Sequence, residues 1–130
     1  MRYTEEELVE KGLTQKRESK YVEFKSQFDG GTKAWCDLVK EVIALANTQG
    51  GVVVYGLESG GTPSGRPIQD ILDADPEVVV DKLARYTDVQ FDAVSIYKRE
   101  KEGQPVAALV VGSTRVPIPF TPEGGHRQSS

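Results

Sequence analysis

Almost none of the residues on which nucleophilic or zinc chemistry is built are present: the 130-residue chain has one cysteine, Cys36, and one histidine, His126. A lone Cys closes no internal disulfide, and one Cys with one His makes no zinc-ligand spacing. Cys36 falls inside a predicted helix, where a small buried apolar role is expected. His126 lies in the polar C-terminal tail, away from any acid–base partner that the sequence identifies, which argues against Ser-His-Asp and Cys-His arrangements. No apolar run approaches the ~20 residues of a membrane span. Met1 to Glu10 is acidic and lacks an apolar core, so no secretory signal is expected and the expected compartment is the cytoplasm. Basic charge is also short: 16 Lys and Arg stand against 20 Asp and Glu, a net charge of −4. Domains whose whole surface tracks nucleic acid usually have a high pI. Any nucleic-acid contact must therefore be a local basic patch.

What is present suits one globular domain with one modest core, at 38% hydrophobic and 28% charged residues. Thr4-Glu5-Glu6-Glu7 reads as a capping box opening a short helix, with Gly12 expected to close it. From Tyr21 to Lys25 the residues alternate. Val22 and Phe24 fall on one face and Tyr21, Glu23 and Lys25 on the other, which predicts a half-buried strand with Glu23 and Lys25 on the wet side. Asp29-Gly30-Gly31-Thr32 is a turn signal.

Between Lys33 and Gln49, apolar residues recur at Trp35, Leu38, Val39, Val42, Ile43 and Ala46, a helical stripe that leaves Asp37, Lys40 and Glu41 off it. That helix stops at Asn47 to Gly51, where Gly50 and Gly51 take a cap conformation at little cost and Asn47 is expected to satisfy helix-end groups. Val52 to Leu57 is unbroken apolar sequence, the mark of a strand covered on both faces. The loop from Gly56 to Gly65 is glycine-rich but has no P-loop ending and no dinucleotide fingerprint, so it reads as a connection. Asp75-Pro76 opens another helix, and Glu102-Gly103 joins two strands in a hairpin. The resulting fold class is α+β, a mixed sheet of about four or more strands flanked by helices. The expected divisions are an N-terminal helical extension over 1–17, a domain over 18–119 and a flexible tail over 120–130.

Glu18-Ser19-x-x-x-Glu23-Phe24-Lys25, the helix end Ala44-Leu45-Ala46-Asn47-Thr48-Gln49-Gly50-Gly51, the strand Val52 to Tyr55 and Gly56-Leu57-Glu58 together resemble the Schlafen AlbA_2 domain. The resemblance runs from about Glu18 to Pro119. It implies an α+β fold and association with DNA or RNA, commonly as one module of a longer regulator. Some members of that family are metal-dependent ribonucleases with three acids, and the resemblance places two of them at Glu18 and Glu23. The third falls at Ser59, a neutral hydroxyl, unless a one-residue slip brings in Glu58. In that nuclease reading Mg²⁺ or Mn²⁺ would be held by Glu18, Glu23 and Glu58; otherwise no cofactor is expected. Residues five apart on a regular strand point to opposite faces, so Glu18 and Glu23 converge only if Glu18 precedes the strand or a bulge intervenes.

Lys16, Arg17, Lys20 and Lys25 crowd the first strand beside Tyr21, a pattern able to track a phosphate backbone while an aromatic ring stacks on a base. Arg66 in the loop is a further phosphate contact. The leading expectation is a nucleic-acid-binding domain of a transcriptional regulator or related protein, compatible with a homodimer. A divalent-metal nuclease and a protein-interaction module are the alternatives. All the nucleic-acid readings require the loop after the second strand to rest beside the first.

Overall fold

The computed structural model describes residues 3–119. Eight elements follow in order: α1 (Glu5–Thr14), β1 (Val22–Lys25), α2 (Thr32–Ala46), β2 (Gly51–Tyr55), α3 (Gln69–Leu72), α4 (Pro76–Thr87), β3 (Val94–Lys101) and β4 (Gln104–Val111). They build a mixed four-stranded sheet in the order β1-β2-β4-β3. β1 and β2 are parallel, and β4 is antiparallel to both β2 and β3. A parallel pair needs a crossover, and α2 supplies it. The short α3 is the one element that the periodicity does not show. The expected mobile tail and His126 lie outside the described residues.

Both faces of the sheet are covered. On one, Val53, Tyr55, Ala107, Leu109 and Val111 pack against Leu38, Val42 and Ile43 of α2 and Val79 and Leu83 of α4. On the other, Val22, Phe24, Val52, Val54 and Val110 receive Leu8 and Val9 of α1. Central β2 is buried at every position, as its unbroken apolar run requires. Each fully buried aliphatic side chain in these layers contributes about 1.5–3 kcal/mol.

Thr4 and Glu7 form the expected capping box, the Glu7 N–H donating to Thr4 Oγ1 at 3.1 Å and the Thr4 N–H to Glu7 Oε1 at 2.8 Å. Gly12, expected as the end of α1, lies inside the helix instead. A Cβ there would stand 2.6 Å from Val54 Cγ2, so Gly12 is where α1 sits closest on the sheet. Asp75 caps α4 and Pro76 occupies its first turn, as read from the sequence. At the end of α2, Gly50 adopts φ +79° and its N–H donates to Leu45 O. Gly51 lets β1 approach: a Cβ on it would lie 2.5 Å from the Tyr21 carbonyl oxygen. Asn47 is not left-handed but αR. Its amide makes two bonds to the Ile118 backbone, Nδ2 to O at 2.9 Å and Oδ1 from N at 2.8 Å, and so pins the segment after β4 onto the core. Cys36 is half-buried rather than buried.

Candidate functional site

Two features converge on β1. One is an acid–lysine cluster between β1 and α2; the other is the exposed basic segment that precedes β1.

β1 pairs Glu23 with Val53 and Lys25 with Tyr55. Registered neighbours in a sheet share a face, and Val53 and Tyr55 belong to the α2 side. Glu23 and Lys25 therefore point under α2 and are not on a wet face, which corrects the sequence expectation. The physical reason is that this sheet is covered twice, by α1 below Val22 and Phe24 and by α2 above Glu23 and Lys25. Polar residues in the alternation mark contact with the polar flank of α2 rather than with solvent. Lys25 Nζ lies 3.0 Å from Glu41 Oε2 and 3.8 Å from Glu23 Oε2, with about a third of each β1 side chain exposed. Burial works to lower the Lys25 pKa, but the hydrogen bond and charge of Glu41 outweigh it and raise it above the ordinary lysine value. Lys25 is thus engaged internally, by Glu41 and Glu23.

Glu18 reaches the same cluster. Ser19 and Val22 exchange backbone hydrogen bonds, N to O at 3.0 and 3.3 Å, closing a tight turn that folds the chain back beside β1. Glu18 precedes the strand, which is the condition under which it and Glu23 meet, and its charge acts on the Glu23 carboxyl group. Desolvation, the charge of Glu41 and the charge of Glu18 push the Glu23 pKa up to about 7, against the opposing effect of Lys25. Glu41 was visible in the sequence only as an off-stripe residue of α2; its place opposite Lys25 depends on the crossover geometry.

The loop after β2 does rest against β1. The Gly56 and Leu57 N–H groups donate to Lys25 O at 2.7 and 3.2 Å, Ser64 Oγ donates to Ser26 O at 2.6 Å, and the Phe28 N–H donates to Pro67 O at 3.0 Å. Its tip goes the other way. A Cβ on Gly61 would meet Gln15 O at 2.6 Å, and Lys101 Nζ donates to Gly61 O at 2.6 Å, so Glu58 and Ser59, both exposed, sit on a turn hooked over the end of α1. Among the described residues no group of three or more His, Cys, Asp or Glu side chains is arranged to hold a metal ion. Lys25 places an ammonium between Glu41 and Glu23.

Lys16, Arg17 and Lys20 are exposed on the segment between α1 and β1, and Lys16 and Arg17 enter no ion pair among the described residues. Tyr21 is half-buried and engaged by three neighbours. Its hydroxyl donates to Gln49 Oε1, Lys20 Nζ lies 5.5 Å from its ring centroid, and Tyr3 packs against it edge-on at 5.2 Å. Arg66 stands past the other end of β1, its Nη1 donating to Gln27 Oε1 at 3.4 Å.

A covered mixed sheet with one parallel βαβ unit and a charged cluster at its edge strand defines an α+β domain of the kind the residue motif suggests. The chain belongs to the Schlafen, AlbA_2 family, whose model matches residues 18–120. No curated protein matches it. In fold it is similar to the crystal structure of the DIP2311 protein from Corynebacterium diphtheriae, with a TM-score of 0.58 and 22% identity over 92% of this chain. The chain spans only 23% of that protein's length, and the likeness concerns fold alone. No helix among the described residues is long and apolar enough to cross a membrane.

Proposed function

We propose that this domain binds nucleic acid through its phosphate backbone, using Lys16, Arg17 and Lys20 on the segment that flanks β1, and serves a transcriptional regulator or another DNA- or RNA-associated protein. The observation that carries the reading is the contrast in basic residues around β1: Lys25 is tied to Glu41 and Glu23, whereas Lys16 and Arg17 are exposed without an ion-pair partner among the described residues. Such cations exchange condensed counterions for phosphate contacts. Membership of the AlbA_2 family supports the same direction.

A gel shift with single-stranded and duplex DNA and RNA at two salt concentrations tests the proposal. Three phosphate contacts on a duplex give a log–log salt slope near −2.7, so affinity falls roughly 40-fold between 50 and 200 mM salt. Alanine at Lys16, Arg17 and Lys20 together should flatten that slope and weaken all sequences evenly, whereas Lys25→Ala should leave it unchanged. An absence of binding at low salt would remove the reading.

The meeting of Glu18 with Glu23 is the one observation in favour of a metal-dependent nuclease. The Lys25 ammonium beside Glu23 and Glu41 and the neutral Ser59 at the third position of the motif weigh against that reading. Labelled RNA incubated with Mn²⁺ or Mg²⁺ is expected to stay intact; cleavage abolished by Glu23→Ala would reverse that conclusion.

A further inference from the structure

At the C-terminal end of β1 a cleft of about 280 Å³ opens towards the start of α2, its walls including Lys25, Asp29, Lys33, Ala34, Asp37 and Tyr55. α2 has fifteen residues, begins at Thr32 and has Gly31 as its N-cap with no side-chain cap and no acid in the first turn. Its first intrahelical bond runs from Trp35 N to Gly31 O, so the N–H groups of Thr32, Lys33 and Ala34 have no partner within the helix. The positive end of the helix dipole is directed the same way. Independently, Tyr55 is only 3% exposed, lines this cleft, and its hydroxyl makes no hydrogen bond among the described residues. A buried hydroxyl left unpaired in the free protein is uncommon and calls for a ligand or a water. Burial, with Glu41, Asp37 and Glu23 nearby, pushes the Tyr55 pKa up, so the phenol keeps its proton and remains a donor at neutral pH.

Two cations line the cleft beside these donors, Lys33 with its Nζ 3.1 Å from Asp37 and Lys25 held by Glu41. The acids are partly occupied: Asp37 by Lys33, and Asp29 by the Gly31 N–H at 2.8 Å. An oxyanion with several acceptor oxygens is the ligand able to take the Tyr55 hydroxyl, the helix N–H groups and a lysine at once.

We propose that the cleft between the end of β1 and the start of α2 binds a phosphate group, held by the N–H groups of Thr32, Lys33 and Ala34, the Tyr55 hydroxyl and the Lys33 ammonium. This site is separate from the Lys16–Lys20 segment. It takes a terminal phosphate monoester or a backbone phosphodiester, two sources of one chemistry. The cleft volume falls just below the ~300 Å³ at which small-molecule pockets begin, room for a phosphate with part of a sugar but not for a dinucleotide.

The test is a titration of the full chain, followed by amide NMR shifts, with inorganic phosphate, a 5′-phosphorylated oligonucleotide and the same oligonucleotide without terminal phosphate, each against chloride at matched ionic strength. Shifts at Thr32, Lys33 and Ala34 with the phosphorylated ligands alone assign the monoester; shifts with both oligonucleotides assign the backbone. Tyr55→Phe and the exposed Lys33→Glu should each weaken binding about tenfold or more. The triple alanine variant at Lys16, Arg17 and Lys20 should retain the inorganic phosphate shifts, which separates this site from the proposed surface contact. No amide shift with any phosphate ligand, shifts equal to those of chloride, or an unchanged titration in Tyr55→Phe would overturn the proposal.

Discussion

Replacing Glu23 with glutamine should make the domain more stable at alkaline pH and have only a small effect at pH 5. Glu23 has its pKa pushed from 4.5 to about 7 by desolvation and by the charges of Glu41 and Glu18. A carboxyl whose folded pKa lies above its unfolded value is stabilising while protonated. Its contribution is full below about 4.5 and is lost as pH rises through about 7, because across that window the unfolded chain has released a proton that the folded state still holds. The full linkage has a ceiling of about 3 kcal/mol. With a third of the side chain in water, screening reduces this to about 1 kcal/mol. In a domain of this size that amounts to about 3–5 °C in Tm. Urea or thermal unfolding of both proteins at pH 5 and pH 8 provides the measurement. The native protein should lose about 1 kcal/mol over that range relative to Glu23→Gln, whose amide cannot ionise. Lys25 stays charged at both pH values and drops out of the comparison. Parallel pH profiles would refute the acid cluster, since they would mean that Glu23 faces water without Glu41 and Glu18 beside it.

Three other substitutions probe the framework. Asn47→Ala removes both bonds to the Ile118 backbone and should cost about 1–2 kcal/mol in urea unfolding, with faster amide exchange at Ile118. Gly51→Ala places a Cβ 2.5 Å from the Tyr21 carbonyl oxygen, an obstacle in the backbone of β1 that cannot rotate away. It should destabilise by more than about 2 kcal/mol and displace β1 in amide chemical shifts. Tyr55→Phe deletes a hydroxyl that has no partner in the free protein, so unfolding in phosphate-free buffer should show equal stability or a gain of up to about 1 kcal/mol; a loss would show that the hydroxyl is already bonded.

Local rules were readable wherever one segment decides its own structure. The Thr4–Glu7 box, the Asp75-Pro76 start of α4, the Glu102-Gly103 hairpin and the buried run of β2 depend on neighbours within a few residues, and each is as expected. What failed depended on a second element. Gly12 looks like a helix end in isolation, and only its contact with Val54 shows why the helix continues past it. Glu23 and Lys25 look solvated because alternation tells which residues share a face but not what covers that face. Asn47 was expected to serve its own helix, yet it holds a chain segment more than seventy residues away.

The same limit governs the site. Glu18, Glu23 and Glu58 can be listed from motif spacing, but whether three carboxylates meet depends on which way a loop turns after it leaves the sheet. The loop from Gly56 to Gly65 starts at the right place, bonded to Lys25 O. Its tip, at Gly61, then meets Gln15 at the end of α1. Glu41 and Lys25 set the electrostatics around Glu23. An ammonium held 3.0 Å from one carboxylate and 3.8 Å from another satisfies locally the charge that a divalent ion would otherwise supply. The basic residues left for an external polyanion are then those that β1 does not carry, Lys16, Arg17 and Lys20 before it and Arg66 after it. An edge strand whose own lysine is engaged internally, flanked at both ends by exposed cations, is the arrangement on which the proposed backbone contact rests.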